Sequence, residues 1–492
     1  MEVRLIHPDG DPDLPAPPFA EDLVADLGLA ALFEAMAEGE ELRYRAVREG
    51  VLAAADPDPR AIPYRQAVFQ DVLAHPEAVA ELDALARETL EQVQRSHFGF
   101  TWRTPGAVLF GALEAMEALL VGLRRLRDWA LTARAGFSSP GFRALFERLE
   151  AALPDAFFQE AEDELRRLRD RRGVWAGVRL GEGLLGRDHR PLAEPPGPGG
   201  LLGRWLGGRA PVHRVIVAER DVAGARALGA LSDRALAPLA RVLAESAQAA
   251  IDFFQALRRQ LAFYRGAAAL WRRLAAAGLP RAIPQVGGEE ALSADALYDP
   301  GLVLRGGSRV VTNDLRAGGR PVLFITGANR GGKTTFLRAI GVAQLLFQAG
   351  LFVPAAAYRA GVRRGVFTHF VRPEEAERER GKFLEELARM DALVEAMRPG
   401  SLLLLNESFA STNEREATLV AEGLVRALAE AGVRVAYVTH LHRLAAGFCQ
   451  AGRALCLRAE RGPEGARTFR IRPGVPRATA HADDLYRRIL GG

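Results

Sequence analysis

The segment Gly327-Ala328-Asn329-Arg330-Gly331-Gly332-Lys333-Thr334 constrains the fold of this chain more than any other. Its spacing, G-x-x-x-x-G-K-T, calls for a strand before it and a helix after it. That setting turns successive backbone N–H groups inward on an anion and adds the positive end of a helix. Val322-Leu323-Phe324-Ile325-Thr326 reads as the buried strand entering the loop, and residues 335–348 read as the helix leaving it. Lys333 is one of two lysines among 65 basic residues, the rest being arginine. A compact ammonium reaches between phosphates as a planar guanidinium does not, which explains a lysine kept against the habit of the sequence. The loop predicts a nucleotide site in which Gly327, Asn329, Gly331, Gly332, Lys333, Thr334 and Thr335 hold the phosphates, with the Thr334 hydroxyl turned to magnesium.

At 492 residues, 49% hydrophobic and 26% charged, the chain has room for two or three ordinary cores and is not a disordered polymer. No apolar run approaches the length of a membrane span and the first residues lack a signal-peptide pattern, so a cytoplasmic location with no membrane partner is expected. The net charge of +4 permits a polyanionic partner without demanding one. Cys449 and Cys456, with no companion histidine cluster, match no zinc spacing and read as buried small apolar residues.

Apolar residues recur every three or four positions over 23–36, 40–54, 62–73, 76–95, 107–135, 140–152 and 156–172, which predicts a helical core domain over 1–185. A short alternating stretch at 174–180 precedes a Gly/Pro-rich connection at 191–200, and helical periodicity returns over 223–277 in segments long enough to act as levers, giving a second region at 186–280. After Gly278-Leu279-Pro280 the pattern alternates between strand and helix, with strands expected at 309–312, 321–326, 361–369, 402–406, 433–439, 454–457 and 468–471. The predicted fold class is an α/β nucleotide-binding domain over 281–492 preceded by an all-α core and lever region.

Ser401-Leu402-Leu403-Leu404-Leu405-Asn406-Glu407 is a leucine strand with two polar side chains at its carboxyl end, the edge where an open parallel sheet receives ligands. In phosphate-loop ATPases the first such position orders magnesium through water, and a Glu at the second polarises the attacking water. Glu407 fills the second position. Asn406 fills the first, and a neutral amide accepts a hydrogen bond from metal-bound water without adding charge, so magnesium is held less tightly and hydrolysis is expected to be slow. The strand at 433–438 delivers Thr439 and His440 to the same edge, where His440 senses the γ-phosphate or positions water. ATP and magnesium are the expected ligands.

These residues resemble the MutS-type DNA mismatch-repair ATPases. The likeness rests on Ile325 through Thr335, on Ala349-Gly350-Leu351-Phe352-Val353-Pro354-Ala355 beyond the helix, and on Asn406-Glu407 and Thr439-His440 at the family's later motifs. Asn313-Asp314 looks like the segment that flanks adenine. Residues 58–68 resemble the opening of the family's helical core, and 250–274 the lever returning to the ATPase. The resemblance implies an ABC-like P-loop ATPase that meets a second copy head to head. Helical levers would report nucleotide state to an end that embraces double-stranded or branched DNA, in mismatch repair or a related process.

The departures carry expectations of their own. A core-like pattern beginning near residue 20 leaves no room for the family's mismatch-recognition domain, with its Phe-x-Glu wedge, or for its connector domain, and no small nuclease domain is expected after the ATPase. The signature segment, which normally offers a serine across the dimer, aligns with Arg378 through Glu386 and has none. The Gly381 N–H and the Lys382 charge are its substitutes, and a solvated helix residue near Glu386 is the other reading of Lys382. Ser408-Phe409-Ala410-Ser411-Thr412 stands where the family has a glycine-rich turn. Asn406 and the altered signature also motivate a protein of another class, a nucleotide-gated dimeric scaffold with vestigial hydrolysis that binds protein rather than DNA. The short separation of Lys333 from Glu407 argues against an SMC-type ATPase, and no clear glutamine-bearing loop with helical signature points to a transporter subunit.

Overall fold

The computed structural model describes residues 1–10, 15–96, 104–169, 176–180, 186–191, 222–307, 310–371, 379–462 and 466–476. The chain divides into two units, one of Met1–Val3, Glu77–Gly136 and Ala144–Arg258, the other of Arg4–Pro76, Phe137–Arg143 and Arg259–Gly492.

That unit opens with helices α1 (Ala20–Leu27), α2 (Leu29–Ala37), α3 (Glu41–Ala53) and α4 (Ala61–Ala74). The single helix expected over 23–36 is two, because Gly28 takes a left-handed φ of 67° and its N–H turns back to the Ala25 carbonyl, ending α1.

The other unit holds most of α5 (Pro76–Arg95), then α6 (Pro105–Ala133), most of α7 (Pro140–Ala152), α8 (Asp155–Arg169), strands β1 (Ala176–Leu180) and β2 (Gly186–Pro191), and the first part of α9 (Val222–Ala276). The antiparallel β1–β2 pair corrects the all-α expectation. Gly-Arg-Asp-His-Arg-Pro has no apolar alternation to betray β2, which is defined by backbone pairing alone. A second correction concerns α6. By length and mean hydropathy this helix is apolar enough to cross a bilayer, contrary to the expectation that no run approaches a span. Its run is interrupted by Glu114 and Glu117, the latter held by Arg169 at 2.8 Å, while Leu119, Leu123 and Leu126 are buried. α9 runs for 55 residues, about 80 Å at 1.5 Å per residue, with Pro238 inside it. The connection expected at 191–200 lies outside the described residues beyond Pro191.

The second unit resumes with the end of α9, where Gln260 and Tyr264 take the backbone of Leu5: Gln260 Oε1 accepts from Leu5 N at 2.7 Å and Tyr264 Oη donates to Leu5 O at 2.6 Å. Glycines on α3 and α9 leave room for side chains of the facing helix. A Cβ at Gly50 would lie 2.5 Å from the Phe263 ring, and one at Gly266 2.4 Å from Val47.

Strands β3 (Gln285–Val286), β4 (Leu292–Leu297), β5 (Asn313–Arg316), β6 (Val322–Thr326), β7 (Ala357–Ala360), β8 (Val366–Phe370), β9 (Leu402–Asn406), β10 (Arg434–Val438), β11 (Ala454–Arg461) and β12 (Arg467–Pro473) form two sheets. Between them run α10 (Gly301–Leu304), α11 (Lys333–Gln348), α12 (Glu379–Ala396), α13 (Glu414–Glu430) and α14 (His442–Gln450). The larger sheet has the order β12-β11-β6-β10-β9-β8, parallel throughout except for β12. A parallel sheet is covered on both faces, which is why Leu402 through Leu405 is a continuous apolar run. Phe324, Leu403, Leu405, Val435 and Tyr437 pack with Ala417, Ala421 and Val425 of α13.

The smaller sheet has the order β3-β7-β4-β5. The strand expected at 309–312 lies at Asn313–Arg316, and the one expected over 361–369 is confined to Val366–Phe370, with β7 a separate strand before it. Cys449 and Cys456 lie side by side, with their Cα atoms 6.1 Å apart.

A buried polar network fastens α11 to the start of the chain. Gln348 Nε2 donates to Ala54 O at 2.6 Å, and Gln348 Oε1 accepts from Gln344 Nε2 and from Arg363 N. Tyr358 Oη donates to Gln344 Oε1 at 2.9 Å. Buried amides left without such partners cost of the order of 1–3 kcal/mol each, so the contacts specify this pairing. Gly350, at φ 72°, lets α4 close on the turn after α11, where a Cβ would sit 2.3 Å from Arg65 Cβ.

Candidate active site

β6 runs buried into the 327–334 loop, and the loop lies against β11: a Cβ on Gly327 would approach Ala459 to 3.1 Å. Gly327 at φ 118° and Gly332 at φ 90° supply the conformations that fold the loop over the start of α11. Arg330 adopts φ 60° at its crown. Lys333 is 4% exposed, and its Nζ donates to Gly327 O at 2.8 Å and Ala328 O at 3.1 Å. Burial pushes its pKa down, the Glu407 carboxylate pushes it back up, and Arg467 lowers it further.

The polar ends of β9 and β10 meet the loop. Thr334 Oγ1 donates to Asn406 Oδ1 at 2.9 Å, so the two expected magnesium positions face each other. Glu407 Oε1 lies 3.2 Å from His440 Nε2. That hydrogen bond holds the Glu407 pKa below the usual carboxylate range against the opposing effect of burial, with the charges of His440 and Lys333 adding to it. Glu407 is therefore an anion at neutral pH. Asn406 and Glu407 reach this place because β9 pairs with β10, and β10 with β6, all parallel and in register.

A cavity of about 430 Å³ opens over the loop. Its walls include Asn329, Gly331, Gly332, Lys333, Thr334, Thr335 and Glu407 among the expected residues. Asn406 and His440 are not among the lining residues and are bonded to two that are, Thr334 and Glu407. Asn313, expected to flank adenine, is on the wall, whereas the Asp314 carboxylate is spent on Ala296 N at 2.9 Å. Sequence reasoning missed Phe469 and Tyr298. Phe469 is 47% exposed at φ 57°, and its carbonyl accepts from Asn313 Nδ2 at 3.2 Å. An open aromatic face beside an amide suits a nucleobase. The only signal for it was a short strand far along the chain, with nothing to link it to the loop. The signature segment is described from Glu379, as the start of α12; the Lys382 side chain lies outside the described residues. Among the described residues no group of three or more His, Cys, Asp or Glu is gathered as a metal cage. The oxygen pair Thr334 and Asn406 fits magnesium, which keeps several waters and takes few protein ligands.

Together these features define an α/β protein whose polar groups gather at the carboxyl edge of a parallel sheet around a glycine-rich loop. Residues 323–460 match the family described as MutS domain V, and residues 57–277 match the MutS2 N-terminal domain. The chain belongs to the MutS-like family.

Endonuclease MutS2 of Carboxydothermus hydrogenoformans is 31% identical over 173 residues, covering 35% of this chain and 22% of the relative. DNA mismatch repair protein MutS of Caulobacter is 29% identical over 372 residues, covering 69% and 40%. DNA mismatch repair protein MSH3 of Arabidopsis thaliana is 33% identical over 138 residues, covering 27% and 13%. The chain thus spans less than half the length of these curated relatives.

Proposed function

We propose that this protein binds and hydrolyses ATP with magnesium, and that the nucleotide state of a homodimer joined through the α/β domains controls its grip on double-stranded or branched DNA in a repair process. The observation that carries the reading is the convergence of Lys333, Thr334, Asn406, Glu407 and His440 on one end of three neighbouring parallel strands. Loop N–H groups and Lys333 take the phosphates, and Phe469 offers a face to the base. Glu407, anionic and oriented by His440, accepts a proton from the attacking water. Magnesium, when bound by Thr334 and through water by Asn406, supplies positive charge to the phosphate oxygens. The names of the relatives, a DNA mismatch repair protein and an endonuclease, support DNA as the partner.

ATP turnover, measured with linear, branched and mismatched duplexes beside a Lys333→Ala control, is expected to rise several-fold with at least one DNA. The complex should weaken steeply with salt as phosphate contacts release counterions. No DNA-dependent change and no salt-sensitive complex would remove the DNA half of the proposal.

A second reading rests on Asn406, the neutral residue at the magnesium position: the protein is a nucleotide-gated scaffold whose hydrolysis is vestigial and whose partner is a protein. Asn406→Asp restores a charge, and it is expected to lower the magnesium concentration for half-maximal activity several-fold. An unchanged magnesium titration counts against the role given to this residue.

A further inference from the structure

The turn after β9 holds two residues in the left-handed region, Glu407 at φ 56° and Phe409 at φ 68°. Residues other than glycine avoid that region, and a bulky one stays there only when its surroundings over-determine it. Between Asn406 and Thr412 the chain has no glycine to relieve the turn.

The surroundings are specific. Glu407 N donates to Val438 O at 2.8 Å, and Tyr437 Oη donates to Ser408 O at 2.7 Å. Ser408 Oγ gives its only proton to the His369 carbonyl at 2.8 Å, so it accepts from His369 Nδ1, which lies 2.7 Å away and must carry a hydrogen. Phe409 N donates to Glu386 Oε2 at 2.6 Å, and the Phe409 ring stacks on the His369 imidazole. His369, Ser408 and Tyr437 are buried, at 0%, 2% and 0% exposure. Burial, reinforced by Arg389, pushes the His369 pKa down to about 4, so the ring is neutral in this contact at pH 7.

We infer that His369, Ser408, Tyr437 and Glu386 are positioning residues, a clamp that fixes the strained turn and thereby aims the Glu407 carboxylate at the cavity. None of the four lines the cavity, so they act through Glu407. The clamp substitutes for glycine: conformational freedom in the turn is replaced by enforcement from side chains on β8, β10 and α12. Glu386 also connects the turn to α12 through its hydrogen bond with Phe409 N, two residues after Glu407. The inference rests on the proposed role of Glu407.

Ser408→Ala, which removes one oxygen, is expected to lower kcat for ATP tenfold or more while KM and ADP affinity stay within about threefold, as small misplacement of a catalytic group costs rate rather than binding. In a Glu407→Gln background the same substitution should change nothing further, since its effect passes through that carboxylate. His369→Asn keeps a donor near the Nδ1 position and should restore much of the turnover lost in His369→Leu. Amide exchange across residues 402–413 should quicken in Ser408→Ala, with exchange across 327–341 unchanged. Wild-type turnover and exchange in Ser408→Ala and His369→Leu, with Glu407→Gln inactive, would overturn the clamp and leave the role of Glu407 standing. Loss of nucleotide binding together with turnover would overturn it too, by making these residues supports of the fold at large. If Glu407→Gln turns over like wild type, the role of Glu407 falls, and the exchange measurement alone decides whether the clamp holds the turn.

Discussion

Lys333→Ala is expected to lower ATP affinity about a hundredfold or more and to bring turnover to background. The ammonium is buried, and its two partners are carbonyls of its own loop, at 2.8 and 3.1 Å. Hydrogen bonds from a charged donor contribute about 1.5–3 kcal/mol each, and every 1.4 kcal/mol is tenfold in affinity, so losing one or two contacts to phosphate accounts for roughly that drop. Alanine keeps the helix start, and Gly327 and Gly332 still shape the loop. Calorimetric titration with ATP and magnesium checks the prediction. Wild-type affinity in the variant would mean that the phosphates bind elsewhere.

Glu407→Gln should behave differently: turnover falls about 10²- to 10⁴-fold, the range for removing a general base, while ATP affinity stays within a few-fold. Glutamine preserves shape and can still meet His440, but it cannot take a proton. Because the His440 contact already keeps the Glu407 pKa low, the carboxylate is ionised at neutral pH, and activity should be lost only as pH falls into the acid range where it protonates. Single-turnover kinetics with wild type and variant in parallel distinguish a lost chemical step from lost binding. Equal rates would exclude Glu407 as the base and favour the scaffold reading.

The strand, loop and helix around Lys333 are legible from sequence because three local signals coincide: a buried apolar run, glycines at fixed offsets, and the periodicity of a helix. The leucine run of β9 is legible for a related reason, since a strand covered on both faces has no polar alternation to confuse it. What escaped depends on partners distant in the chain. β5 has a single buried residue, and it is a strand because β4 pairs with it. Phe469 joins the cavity through Asn313, 156 residues away in sequence. The turn at Glu407 reads as an anomaly until His369, Tyr437 and Glu386 are seen around it. Gly28 interrupts an otherwise unbroken apolar stripe, and periodicity alone cannot tell a glycine inside a helix from one that ends it.

The hydrogen bond from Gln348 to Ala54 closes a span of 294 residues. At a synthesis rate of about 5–20 residues per second, the opening helices leave the ribosome roughly 15–60 s before the glutamine that anchors them exists. During that interval the nascent segment bearing Ala54 and Arg65 must stay soluble without its eventual cover. Shortened versions that start downstream of residue 76 would strip α11 of the same cover, so recombinant production of the α/β part should retain the first helices of the chain, in cis or supplied as a separate fragment.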